Sequence, residues 1–361
     1  MSRVLFLDPY HGPSHSTLSR AFRERSRHQV RLLTLPPRKW KWRMRGAALA
    51  FEPAIRALGA PPDVLVTTDM LNLPELLALA RAFLPPRLPV ITYFHENQIT
   101  YPLPVLDERD LHFGLANIYS ALASDLVIFN SAFHRREFLE AVPSVLKARP
   151  DRRPDGIAER IARRSRVLGV PVELVPVPPE GFREDHPPLV LWNHRWEQDK
   201  DPGAFFRVMH RLDGRGVEFG MLVLGQNFRE RPGCFDEAER ALAHRIVRWG
   251  YIPNREAYLR EAARCRVVVS TARHEFYGLA VREAIGMGCW PLLPRRVVYP
   301  ELVDGRAEHL YESEGDLVDR LEQLLSGPPR PVPAGLAASV CAASAEVISA
   351  SLDAWVDELT G

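Results

Sequence analysis

The stretch Arg266-Val267-Val268-Val269-Ser270-Thr271-Ala272-Arg273-His274-Glu275-Phe276-Tyr277-Gly278-Leu279-Ala280-Val281-Arg282-Glu283-Ala284 starts as a short apolar run and ends as a helical pattern. A strand over 266–270, a polar loop and a helix over 279–287 make one strand–loop–helix unit. The same alternation extends outward on both sides. Towards the N-terminus, strands are expected over 4–8, 29–34, 63–67, 89–94 and 125–129, with helical stretches over 15–25, 43–58 and 73–84 between them. After a proline-rich linker over 170–179, strands are expected over 189–192, 218–224 and 290–293, and helices over 201–212, 235–248 and 255–263. A last helix is expected over 337–359. Such alternation implies parallel strands with right-handed crossovers. The fold class expected is therefore α/β, with two Rossmann-like parallel-sheet domains facing across a cleft, over 1–180 and 181–336. The helix of 337–361 is free to pack back on the first domain.

A chain of 361 residues suits two domains of common size. The net charge of +2 points to no class of partner, so the local charge pattern has to carry that argument. Its basic zones are 38–45 and 147–166. Cys234, Cys265, Cys289 and Cys341 are scattered without a CxxC pair, which argues against a disulfide framework or a zinc site. The apolar run at the N-terminus is too short for a secretory signal, and no stretch reaches the ~18 apolar residues of a membrane span. A cytoplasmic protein without stable membrane association is expected.

In an open parallel sheet, ligands sit beyond the carboxyl ends of the strands, so the residues leaving each strand are the ones to read. Glu275 and Glu283 flank Gly278, where helix amides with partial positive charge suit an anion such as a diphosphate. Glu275 in the loop can bond sugar hydroxyls, and Glu283 on the helix can grip a ribose diol. In Leu191-Trp192-Asn193-His194-Arg195-Trp196-Glu197-Gln198-Asp199-Lys200-Asp201-Pro202, Arg195 and Lys200 leave the strand end together. Two fixed cations are what a departing nucleotide diphosphate requires. The D-x-D form Asp199-Lys200-Asp201 is set aside as a metal site, because Lys200 competes with a cation and Asp201-Pro202 reads as a helix start.

In the first half, Gly12 lets the backbone approach a ligand, while Ser14 and Ser16 read equally well as helix caps. Phe94-His95-Glu96-Asn97-Gln98 is a polar cluster at a strand end, where His95 is placed to touch the transferred sugar or an acceptor hydroxyl. Asn130-Ser131 is a weaker signal of the same kind, with a helix cap as its other reading. The run Arg38-Lys39-Trp40-Lys41-Trp42-Arg43-Met44-Arg45 carries five cations and two indoles, suited to phosphates and unpaired bases, or to a solvated helix start.

With these residues in hand, the chain resembles the retaining GT-B glycosyltransferases with an E-x7-E motif, through Gly12, Arg195, Lys200, Glu275 and Glu283. The 38–45 run and Phe94-His95-Glu96-Asn97-Gln98 look more specifically like the tRNA-queuosine alpha-mannosyltransferase family, and that similarity spans most of the chain. The resemblance implies transfer of mannose from GDP-mannose to the cyclopentene diol of queuosine in tRNA-Asp, with retention of configuration and without a metal or resident cofactor. It implies a catalytic set of His95, Glu275, Arg195 and Lys200. The donor set adds Gly12, Asn227, Tyr251, Ile252, Tyr277, Gly278, Leu279 and Glu283, with Trp249-Gly250-Tyr251-Ile252-Pro253 lining the nucleobase pocket. The tRNA set is Arg38, Lys39, Trp40, Lys41, Trp42, Arg43, Arg45, His95, Asn97 and Gln98. Two other readings stay open: a GT-B enzyme acting on a lipid or cell-surface glycan from another nucleotide sugar, and a non-catalytic RNA-binding protein on a transferase fold.

Overall fold

The structure, a computed structural model, describes residues 1–102, 110–147, 151, 154–176, 187–227 and 231–361. The end of the expected linker, 177–179, and part of the basic zone 147–166 lie outside the described residues. The chain divides into two units: Met1–Pro171 with Ala343–Gly361, and Val172–Ala342. The division thus precedes the expected boundary at 180/181.

In chain order the first unit contains β1 (Arg3–Asp8), α1 (Pro13–Arg25), β2 (Gln29–Thr34), α2 (Trp40–Arg56), β3 (Val64–Thr68), α3 (Leu73–Ala80), β4 (Val90–Phe94), α4 (Leu111–Ala123), β5 (Leu126–Phe129), α5 (Ala132–Lys147), α6 (Ile157–Ala162) and β6 (Ser165–Val167). Its parallel sheet runs β2-β1-β3-β4-β5-β6. The central strands β3 and β4 are buried along their whole length, as strands covered by helices on both faces must be, whereas β2 at the edge is largely accessible.

The second unit contains β7 (Leu189–Trp192), α7 (Pro202–Gly214), β8 (Gly220–Leu224), α8 (Cys234–Ala241), β9 (Ile246–Gly250), α9 (Arg255–Arg264), β10 (Val267–Val269), α10 (Leu279–Gly286), β11 (Trp290–Pro294), α11 (Tyr299–Leu302), β12 (Leu310–Tyr311), α12 (Glu314–Ser326) and α13 (Ala334–Cys341). Its parallel sheet runs β12-β11-β10-β7-β8-β9. The strand order reverses between β7 and β10 in this unit and between β1 and β3 in the first, which is where a doubly wound sheet opens a crevice. An aromatic core with Trp196 stacked on Phe235 at 4.1 Å anchors the loop after β7.

Two expected helices are corrected. The helix over 235–248 ends at Ala241, and β9 follows after a 3-10 turn over Ala243–Arg245. Phe235, Ala238, Leu242, Ile246 and Trp249 keep a helical apolar spacing, but pairing with β8 overrides it. The helix over 337–359 is two helices. Ser344 breaks it by capping α14 (Ala345–Thr360), its hydroxyl accepting from Val347 N. α14 packs on α1, and its buried Asp353 accepts from Ser26 Oγ and Arg27 N. Among the described residues, no single helix is long and apolar enough to cross a membrane, and all four cysteines are free thiols.

Candidate functional site

In the second unit, the loops leaving β7 and β10 are bonded to each other. Trp192 Nε1 donates to Thr271 Oγ1, Thr271 Oγ1 donates to Lys200 O, and Arg273 N donates to Asp199 O. This brings Lys200 and Glu275 together. The buried Lys200 Nζ donates to His274 O at 2.7 Å and lies 3.0 Å from Asp199 Oδ2 and 3.3 Å from Glu275 Oε2. Glu275 Oε1 accepts from Phe276 N at 3.2 Å, and the Gly278 amide also bonds the carboxylate. Gly278 has φ +76°, and a Cβ there would stand 3.2 Å from Leu302, so both backbone and space select glycine. The loop carboxylate thus gathers one ammonium and the amides that open α10.

Burial alone would raise the Glu275 carboxyl, but Lys200, His194 and the Gly278 amide outweigh it and hold it at about 2. The His194 and His274 imidazoles are pushed down to about 4, first by burial and then by Lys200. Of the influences on either ring, Arg195 is the last and Lys200 the stronger cation. The expectation of two cations pointing out together is corrected here. Lys200 is enclosed by two carboxylates, while Arg195 is half-exposed and pairs with Glu197 at 3.0 Å. Asp201 caps α7, its carboxylate accepting from Ala204 N, which is the helix-start reading of the D-x-D form.

The second carboxylate of the E-x7-E pair has its own cation. Glu283 is buried, with Oε1 2.8 Å from Arg255 Nη2. Tyr258 donates to the same carboxylate, and its hydroxyl accepts from Asn193 Nδ2 at 2.9 Å. Burial raises the Glu283 carboxyl, although Arg255 and Tyr258 pull it the other way. Sequence reasoning missed Arg255, Tyr258 and Asn193. One signal was available: Arg255 opens α9, where a cation opposes the helix dipole, and so calls for a specific anion. The remaining donor candidates also follow strands. Asn227 and Tyr251 are exposed after β8 and β9, Ile252 is half-buried, and Tyr277 is buried under the Arg282 guanidinium at 4.4 Å. Leu279 opens α10. Gly225 was also missed. A Cβ there would meet His194 O at 1.8 Å, so only glycine lets the β8 loop lie on the β7 loop.

In the first unit, the ends of β1, β3 and β4 gather a buried polar cluster. Asp8 Oδ2 bonds His11 Nδ1 at 2.7 Å and accepts from Ser19 Oγ at 3.0 Å. The His15 ring stacks on His95 at 4.0 Å. His95 N donates to Asp69 Oδ1 at 2.8 Å, and Asn130 Nδ2 donates to His95 O at 2.8 Å. Burial, with His15 and His134, holds the His95 imidazole well below its ordinary value. Burial and Glu96 hold the Asp69 carboxyl well above. His95 is thus a neutral, oriented ring whose Nε2 has no hydrogen-bond partner among the described residues.

Gly12 has extended backbone, and the demand for glycine there comes from Pro37, 3.2 Å from where a Cβ would sit. Neither Ser14 nor Ser16 caps α1; the helix opens at Pro13 after Gly12. Ser131 does serve as a cap, its hydroxyl accepting from His134 N. Asn97 shapes the turn that follows β4, since its Oδ1 accepts from Ile99 N and Thr100 N. Gln98 Nε2 donates to Glu96. The basic run splits. Lys39 takes φ +56° at the start of α2, Trp40 packs on Phe113 at 5.1 Å, and Lys41 lies over Trp40. Trp42 is 60% exposed. Arg38 is exposed, Arg43 donates to Pro36 O, and Arg45 pairs with Asp110 at 2.6 Å. Among the described residues, no three His, Cys, Asp or Glu side chains gather as a metal-binding group.

Residues 3–172 match the family model of the tRNA-queuosine alpha-mannosyltransferase N-terminal region. A tRNA-queuosine alpha-mannosyltransferase of Drosophila melanogaster is 35% identical over 332 residues, covering 88% of this chain and 85% of the fly protein. Among solved structures, a sucrose-phosphate synthase from Thermosynechococcus elongatus superposes with a TM-score of 0.76 at 15% identity, covering 99% of both chains. Anabaena Alr3699/HepE in complex with UDP and glucose gives a TM-score of 0.62 at 14% identity, again covering 99% of both. At such identities the likeness shows the fold, which is that of the GT-B glycosyltransferases.

Proposed function

The chain belongs to the tRNA-queuosine alpha-mannosyltransferase family, and on that premise we propose that it transfers mannose from GDP-mannose to the cyclopentene diol of queuosine in tRNA-Asp. The observation that carries the reading is the convergence of Lys200, Glu275 and the Gly278 amide at the point where the strand order of the second unit reverses.

In this reading the diphosphate is held by Arg195 and the amides that open α10. The half-exposed Arg195–Glu197 pair is weak enough to be exchanged for it. Lys200 keeps Glu275 ionised, so its carboxylate accepts from sugar hydroxyls and orients the ring. Glu283, fixed by Arg255 and Tyr258, takes the ribose diol. Asn227, Tyr251 and Ile252 border the base, and Gly12 and the neutral His95 serve sugar and acceptor. As the bond from the anomeric carbon to the phosphate oxygen breaks, charge grows on the diphosphate and is met by Arg195 and the amides that open α10. The acceptor oxygen attacks from the same face and its proton passes to the leaving phosphate, which gives retention. The cations and aromatics of Arg38–Arg45 bind the tRNA backbone and unpaired bases.

The test is mass spectrometry of nucleosides after incubating the purified protein with queuosine-containing tRNA and a panel of nucleotide sugars. The expected result is a hexose on queuosine with GDP-mannose alone. A hexose from another donor would correct the donor, and no adduct from any donor would overturn the reading.

A further inference from the structure

The loop that leaves β1 carries an oriented imidazole to which the proposed reaction gives no task. His11 Nδ1 lies 2.7 Å from Asp8 Oδ2. Asp8 is fully buried and held by two further donors: Ser19 Oγ donates to Oδ2 at 3.0 Å, and Tyr10 N donates to Oδ1 at 3.3 Å. A carboxylate only accepts, so the proton of the neutral His11 ring sits on Nδ1 and its lone pair on Nε2. The His11 side chain is 25% exposed, and Nε2 has no hydrogen-bond partner among the described residues. Two sets of contacts place this ring. Asp8 Oδ1 is 3.9 Å from His15 Nδ1, and His15 stacks on His95. His11 N donates to Leu35 O at 3.0 Å and Leu35 N donates to Asp8 O at 3.0 Å, which pins the loop to the segment leading into the basic run 38–45. His11 is thus tied both to the ring read for sugar and acceptor and to the residues read for tRNA. It stands where the strand order of the first unit reverses.

We propose that His11 Nε2 accepts a hydrogen bond from the hydroxyl of the cyclopentene diol that is not glycosylated, and so holds the diol with its other oxygen turned to the sugar. The inference rests on the tRNA reading above and deepens it. A lone pair selects a hydrogen-bond donor, and the buried Asp8 carboxylate behind the ring opposes an anion such as the diphosphate. Hydroxyls are the uncharged donors that the reactants offer. Those of the sugar and those of the diol share this chemistry, and the tie to the segment before the basic run favours the diol. Fixing one hydroxyl decides which of two neighbouring oxygens attacks. The proton of the attacking hydroxyl still passes to the leaving phosphate, so His11 binds the acceptor and takes no proton from it. Asp8 is the positioning residue, acting through the ring that it orients.

The experiment uses the full chain and three variants, His11→Ala, His11→Asn and His11→Gln. It measures hexose transfer from GDP-mannose to queuosine-containing tRNA, and GDP-mannose binding by thermal shift. Asparagine keeps an amide nitrogen where Nδ1 stands and so keeps the bond to Asp8. Glutamine brings its amide oxygen to the position of Nε2. His11→Ala is expected to lower kcat/KM for tRNA about tenfold. His11→Asn should fall with it, and His11→Gln should restore most of the loss. The thermal shift with GDP-mannose should be the same in all four proteins, and circular dichroism checks that each is folded. A ring that served the fold alone would give the opposite order, with His11→Asn active and His11→Gln impaired, and that order would overturn the proposal. Loss of the GDP-mannose shift in His11→Ala would also overturn it, by assigning the ring to the donor sugar. Equal kcat/KM in all three variants and wild type would remove His11 and leave the transferase reading intact. No hexose transfer by wild type would overturn that reading, and the diol assignment with it.

Discussion

Lys200 and Arg195 have opposite environments despite their shared loop. Lys200 is enclosed with Glu275 and Asp199, so Lys200→Met leaves two carboxylates without their buried cation. We expect it to lower kcat by at least ~100-fold and to lose about 3 kcal/mol of stability. Arg195→Ala should lose comparable activity with a stability change of less than about 1 kcal/mol, because its pair with Glu197 is half-exposed. Steady-state kinetics beside urea unfolding read both quantities, and equal stability of the two variants would contradict the assignment. Arg255→Met tests the other carboxylate. With Glu283 left buried and unpaired, the KM for donor should rise about tenfold while kcat falls less. These pairings were not legible in the sequence. E-x7-E and the strand-end cations announced the chemistry, but Lys200 and Glu275 are 75 positions apart and Arg255 and Glu283 are 28 apart.

At the scale of elements, α2 shows how one helix serves two purposes. Its apolar face, Met44, Ala47, Ala48, Phe51 and Ile55, is buried. On the other side the exposed Trp42 indole lies across Gly46, where a Cβ would come within 2.8 Å of the ring. Gly46→Ala therefore has two separable effects. It should favour the helix by up to about 1 kcal/mol, and it should displace the indole and weaken RNA binding. A higher melting temperature together with lower RNA affinity is the expected outcome. Unchanged affinity would remove Trp42 as a stacking surface. The periodicity made α2 legible from the sequence, with the start placed at residue 43 where the helix begins at Trp40. It did not separate Trp40, packed on Phe113, from Trp42, in solvent, because both precede the first buried turn.

At the scale of the whole molecule, acid stability is linked to the same buried charges. His274 lies at about 4 in the folded chain against 6.5 ordinarily, so on acidification the unfolded chain takes up its proton first. The stability this ring contributes is complete above about pH 6.5 and is lost as pH falls towards about 4. Asp69 and Glu283, raised by burial, act in the opposite sense, so the difference between wild type and His274→Gln isolates the ring. That difference in unfolding free energy should be constant above about pH 6.5 and shrink below it, and a flat difference through the window would contradict the burial of the neutral ring. The alternation of strands and helices, the two-unit organisation, the strand-end loops and the family were all readable from the chain, because apolar periodicity and glycine conformation are properties of neighbouring residues. The partner of each charge, the end of α8 at Ala241 and the break that separates α13 from α14 were decided only by the tertiary structure. Strand order brings residues far apart in sequence within a few ångströms, and only at that range do Coulomb attraction, hydrogen bonding and exclusion of water set a group's charge and role.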